Sequence, residues 1–183
     1  MGTSYTTITF RGSGPEAVRD ALEEQKIQAS IAESTGEYTV LNLEQTSPTL
    51  DRFYQQQDEL REVAVGLSKR LEAPALAAMN LDDELLLLWA FDKGELVFQY
   101  DSNPMVLGCP VCSYSSETVP AEISDVGRLT ELFGVPQNTR ALRSWLRRGR
   151  GLGFLDETSR HRQIVRLLGL PEAGVGSEAF AKA

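Results

Sequence analysis

Residues 75–100 read ALAAMNL, then DD, ELLLLWAF, DKG and ELVFQY. Ala75–Leu81 is a run of small apolar residues, and Asp82-Asp83 is a turn. Glu84–Phe91 is almost continuously apolar, as expected of a central strand covered on both faces. Asp92-Lys93-Gly94 is a short hairpin loop in which glycine supplies a left-handed position. In Glu95–Tyr100, Leu96, Phe98 and Tyr100 alternate with Val97 and Gln99, the period of a strand. The stretch predicts a three-stranded antiparallel meander and so decides the fold class.

Outward from the meander, the N-terminal 5–44 segment reads strand, helix, strand, strand. Thr6, Ile8 and Phe10 alternate with Tyr5, Thr7 and Thr9. Gly12-Ser13-Gly14 breaks that strand, and Pro15 suits the first position of a helix. Val18, Ala21 and Leu22 follow at helical spacing. Ile27, Ala29 and Ile31 alternate again, Thr35-Gly36-Glu37 turns the chain, and Tyr38–Leu43 returns. Ser47-Pro48 is expected to open a second helix, with an apolar stripe from Leu50 to Leu71 and a stop before Pro74. Beyond the meander, residues 101–122 read as a long loop. Helices are expected over Asp125–Phe133, over Thr139–Arg150, and from a Thr158 or Ser159 cap to Gly169-Leu170-Pro171. The tail, 172–183, is small and polar and is expected to be loose. The whole predicts one α+β domain, 1–183: a mostly antiparallel sheet, helices packed on one face, and a helical C-terminal portion over 123–171.

The 183 residues carry a net charge of −8, unevenly spread. Residues 1–127 sum to −13 and residues 128–183 to +5. An acidic body with a basic C-terminal third argues against general coating of nucleic acid, which rests on phosphate neutralisation. It leaves open a local anion or nucleic-acid site on the arginine-rich C-terminal helices. The longest apolar run, Leu85–Phe91, is far shorter than the ~20 residues of a membrane-spanning helix. The start of the chain lacks the basic and apolar regions of a signal peptide. Two cysteines and no such leader make the cytoplasm the expected location.

Three constellations are candidates for chemistry. Cys109-Pro110-Val111-Cys112 has the spacing of a redox dithiol or half a zinc site. The helix that lowers a thioredoxin-type thiol pKa is missing after it. A closed zinc site needs four ligands, so Cys109 and Cys112 would have to be matched by a second chain. Asp82, Asp83, Glu84, Asp92, Glu95 and Asp101 crowd the meander, where hard cations or acid/base work are conceivable. Turn chemistry alone also favours Asp at the hairpins, which leaves Asp101 with Asn103 as the better polar pair.

Arg140, Arg143 and Arg147 follow an i, i+3, i+7 pattern and share one helical face. Trp145 lies among them, a composition common at interfaces. The single histidine, His161, excludes sites that need two. It lies between Arg160 and Arg162 with no carboxylate following, and is expected on a solvated helix face rather than in a catalytic triad.

No catalytic signature emerges. The expectation is an interaction or regulatory module acting by surface recognition, with a protein partner or self-association, including a homodimer. The alternative is a metal- or thiol-dependent protein using Cys109 and Cys112, with zinc as its cofactor. A weaker one is nucleic-acid binding through the arginine-rich helices.

Overall fold

A computed structural model describes residues 2–35, 37–43, 48–104, 122–147 and 156–176. The strands are β1 (Tyr5–Arg11), β2 (Ala29–Thr35), β3 (Tyr38–Leu43), β4 (Ala75–Leu81), β5 (Leu85–Asp92), β6 (Glu95–Asp101) and β7 (Glu122–Ile123). The helices are α1 (Pro15–Gln25), α2 (Phe53–Leu71), α3 (Val126–Leu132), α4 (Thr139–Arg147) and α5 (Glu157–Leu168). They build an α+β fold around one seven-stranded sheet of order β2-β3-β1-β4-β5-β6-β7, antiparallel at every joint.

The meander forms as its sequence requires. At the β4–β5 turn Asp82 and Asp83 have φ of 52° and 57°, and at the β5–β6 turn Lys93 and Gly94 have 51° and 87°. Two successive positive φ values match the right-handed twist of the flanking strands. Gly94 is also held by close approach, because a Cβ there would sit 2.9 Å from the Cβ of Lys69. The Ser68 hydroxyl takes the Gly94 N–H at 3.2 Å and donates to the Ala73 carbonyl at 2.8 Å. That tie fixes the end of α2 to the hairpin.

Every residue from Leu85 to Phe91 is buried, so β5 is covered on both faces as its composition predicts. Alternation sorts the strands into two cores. Ile8, Phe10, Ala77, Met79, Leu87 and Trp89 face α1 and α2, which lie together on one side. Leu76, Ala78, Leu86, Leu88, Phe98 and Tyr100 face the opposite side, where Leu129, Leu142, Leu146, Ile164 and Leu168 of α3, α4 and α5 cover them. The helical C-terminal portion is therefore the second outer layer of a three-layer molecule. The Thr7 and Thr9 face of β1, which a lone alternating strand would turn to solvent, is buried as well.

Two boundaries differ from the sequence expectation. Helix α2 starts at Phe53, not at Ser47-Pro48. A turn closed by Arg52 N–H on the Thr49 carbonyl at 3.2 Å comes first, and the Gln56 amide oxygen reaches back to Thr49 N–H at 3.0 Å. These local bonds compete with a helical start. Helix α5 is capped by Asp156, whose carboxylate accepts Ser159 N–H at 2.6 Å. Thr158 does not cap because its hydroxyl is committed to Asp83, at 2.5 Å. Asp156→Ala is expected to lower the unfolding free energy by about 1 kcal/mol in urea denaturation.

After α5 the chain is docked rather than loose for a few residues. Glu172–Gly174 forms a 3-10 turn. Gly174 lies against β1 and β3, where a Cβ would meet Val40 Cγ1 at 3.2 Å and Thr7 Oγ1 at 3.3 Å. Among the described residues no helix is long and apolar enough to cross a membrane.

Candidate functional site

Helix α4 presents the clearest surface feature. At ~100° per residue, Arg140, Arg143 and Arg147 fall within an arc of about 60°. Leu142 and Leu146 lie on the far side of the helix, fully buried in the second core. The apolar pair anchors the helix, and the three guanidinium groups are turned outward and exposed. None of the three has an ion pair with a carboxylate among the described residues. Trp145 is half-buried and does not lie among the arginines. Its carbonyl accepts a hydrogen bond from Arg160 Nη1 at 2.6 Å. The structure thus brings the three arginines together and gives Trp145 a packing position on the opposite side of the helix.

Among the described residues, the three arginines of α5 are engaged. Arg160 is buried and pairs with buried Glu157 at 2.8 Å. Arg162 pairs with Glu172 at 3.6 Å, and Arg166 forms a short contact with the same carboxylate. The 160, 161, 164, 165 and 168 side chains of α5 are buried against the second core.

His161 is corrected most strongly. It is 2% exposed rather than solvated. Its Nδ1 lies 2.9 Å from the Tyr5 hydroxyl, and the two rings stack with centroids 5.8 Å apart. Burial, assisted by Arg162, pushes its pKa down to about 3, so it is neutral at physiological pH. Burial also raises the Tyr5 phenol above its ordinary value. The pair is a sealed joint between β1 and α5.

The carboxylates of the meander separate by role. Desolvation works to raise the pKa of Asp83, but hydrogen bonds from Thr158, Asn80 and Thr3 outweigh it and hold the carboxyl below its usual range. The donors are Thr3 N–H at 2.7 Å, Asn80 Nδ2 at 2.9 Å and the Thr158 hydroxyl. Asp83 thereby ties the N-terminus, β4 and α5 together. Among the described residues no group of three or more His, Cys, Asp or Glu could hold a metal ion. Cys109 and Cys112 lie outside the described residues.

Asp101 and Asn103 do come together. Asp101 Oδ1 accepts Asn103 N–H at 2.8 Å, and Asn103 Nδ2 reaches the Glu84 carbonyl at 3.5 Å. Asp101 opens onto a cleft of about 130 Å³ lined by Gln57, Arg61, Trp89 and Gln99. Clefts for drug-sized ligands are ~300–1,000 Å³, so this one admits only a very small guest. Arg61 lies over the Trp89 ring, 5.9 Å from its centroid, a cation–π arrangement. The sequence reading missed Arg61 and Gln57. Their i, i+4 spacing on α2 was the available signal, but it has meaning only once β5 and β6 are beneath it. Leu87, Trp89, Gln99 and Asp101 share the α2 side of the sheet through the β5–β6 register. The arginine face of α4 belongs to the other side, so the structure does not join Asp101 and Asn103 with Arg140, Arg143 and Arg147 in one site.

Comparisons with protein families, with curated proteins and with solved structures find no match to this chain.

Proposed function

We propose that this chain is a cytoplasmic interaction or regulatory module that recognises an acidic protein surface through the outward face of α4. The carrying observation is the set of three exposed arginines, Arg140, Arg143 and Arg147, without a carboxylate partner among the described residues. Three like charges on one short helix repel one another, and a facing set of carboxylates relieves that repulsion. Guanidinium groups are suited to such a partner because each can bind a carboxylate through two parallel hydrogen bonds. The engagement of Arg160, Arg162 and Arg166 with carboxylates leaves α4 as the helix with three arginines unpaired among the described residues, which supports a compact acidic patch as its partner.

The test compares immobilised wild-type chain with Arg143→Glu/Arg147→Glu in affinity capture followed by mass spectrometry. The expected result is a partner held at low salt, released by about 0.5 M NaCl, where charge screening acts over ~4 Å, and absent from the double variant. A double variant that keeps every partner of the wild type would sink this reading.

A further inference from the structure

The outward face of α1 mirrors that of α4 in charge and spacing. Glu16, Asp20 and Glu23 are all exposed and sit at i, i+4, i+7. At ~100° per residue they also fall within about 60° of arc. Val18, Ala21 and Leu22 on the other side of the helix hold it to the first core. None of the three carboxylates is in an ion pair among the described residues, although Asp20 lies within the Coulombic reach of Arg70.

Read from its C-terminus, α4 places its arginines at 147, 143 and 140, which are steps of four and three residues. Read from its N-terminus, α1 places its carboxylates at 16, 20 and 23, which are the same steps. At ~1.5 Å rise per residue, each set has its second charge ~6 Å and its third ~10.5 Å along the axis. An antiparallel alignment therefore sets Glu16 opposite Arg147, Asp20 opposite Arg143 and Glu23 opposite Arg140 along the axis, with the exposed Arg19 at the edge of the acidic face, three residues after Glu16 and four before Glu23. That alignment also brings the positive dipole end of α1 to the negative end of α4.

The two helices cannot meet within one chain, because they cover opposite faces of the sheet. We infer that the acidic surface recognised by α4 is α1 of a second copy of this chain. This rests on the reading of α4 as a docking face and names its occupant. The surfaces differ, so the contact is head-to-tail and each copy offers one donor and one acceptor helix. Exposed ion pairs are individually weak, so the association is concentration-dependent and salt-sensitive.

Sedimentation velocity on the full, untagged chain tests it. At about 50 mM NaCl the sedimentation coefficient is expected to rise with concentration between about 20 and 500 µM, and at about 500 mM NaCl to stay flat. Arg143→Glu and Asp20→Arg each set like charges opposite one another and are expected to raise the dissociation constant about tenfold or more. The doubly swapped chain, Asp20→Arg/Arg143→Glu, is expected to associate again within about threefold of wild type, because the swapped pair is complementary across copies. Circular dichroism melts confirm that each variant is folded. A wild type that stays monomeric throughout, association that persists in either single variant, or a doubly swapped chain that fails to recover overturns the self-pairing. A monomeric wild type that still loses a foreign partner with Arg143→Glu/Arg147→Glu overturns the self-pairing while leaving the α4 reading intact.

Discussion

Glu157→Ala is expected to lower the unfolding free energy by about 3–5 kcal/mol, the cost of leaving a buried charge without its partner. Glu157 is 1% exposed and Arg160 3%. The pair, 2.8 Å apart at the start of α5, is the electrostatic centre of the second core. Arg160 also donates to the Trp145 carbonyl, so the same guanidinium joins α5 to α4. Removing the carboxylate leaves a buried cation beside the buried Tyr100. Urea denaturation at neutral pH reads the loss directly. Replacing both partners together, as Glu157→Leu/Arg160→Met, is expected to cost much less, since a well-packed apolar pair can match a buried ion pair. A single variant within about 1 kcal/mol of wild type would mean that the Arg160 charge finds solvent, contrary to its burial.

The second large effect is an acid-dependent loss of stability set by His161. Its folded-state pKa is about 3, lowered first by burial and then by Arg162. In the unfolded chain an imidazole titrates near ~6.5. Between these values the unfolded state binds a proton that the folded state refuses, so stability is full above about pH 6.5 and falls as the pH drops. The linkage relation puts the loss at ~2 kcal/mol by pH 5. Asp83, whose pKa is lowered, loses its stabilising hydrogen bonds only as the pH falls through the carboxylate range. Its contribution therefore begins at lower pH than that of His161. In His161→Gln, stability is expected to be nearly level from pH 7 to pH 5, whatever its absolute value. Chemical denaturation across that range gives both slopes. A level wild-type profile would show that the folded protein accepts the proton and that the Tyr5–His161 joint opens to water.

Both effects arise from one architectural feature. The N-terminus, the β4–β5 turn and α5 meet at one end of the second core. Asp83 accepts from Thr3 and Thr158, Tyr5 contacts His161, and Glu157 N–H donates to the Asp83 carbonyl at 3.4 Å. Among the described residues the polar groups here are mutually satisfied with one exception. Asn80 Oδ1 is buried without a hydrogen-bond partner, while its Nδ2 donates to the Thr3 carbonyl, Asp83 and Thr158. Such a network rigidifies the layer that carries α4. The arginine face is thereby presented on a helix whose position is fixed from below rather than on a mobile loop.

The sequence by itself determined the elements whose causes are local. The meander follows from period-two hydrophobicity and from Asp and Lys-Gly turns that accept positive φ. Helix α1 follows from Pro15 and the spacing of Val18, Ala21 and Leu22, and α3 from Asp125, which accepts the N–H groups of Gly127 and Arg128. The shared face of Arg140, Arg143 and Arg147 needed only the helical repeat. Tertiary structure alone decided which faces were covered and which charges were matched. Thr7 and Thr9 are buried because the C-terminal layer covers their side of the sheet, with Gly174 lying against Thr7. His161 is neutral because it is buried, in a position where Tyr5, 156 positions away in sequence, stacks against it. Arg160 is buried and Arg143 exposed because the two lie on opposite sides of their helices relative to one sheet. Steric preference and periodicity act within a few residues, so a single strand or helix reveals them. Burial and charge pairing depend on partners brought in from far along the chain, and no local pattern encodes which distant residue will meet a given side chain.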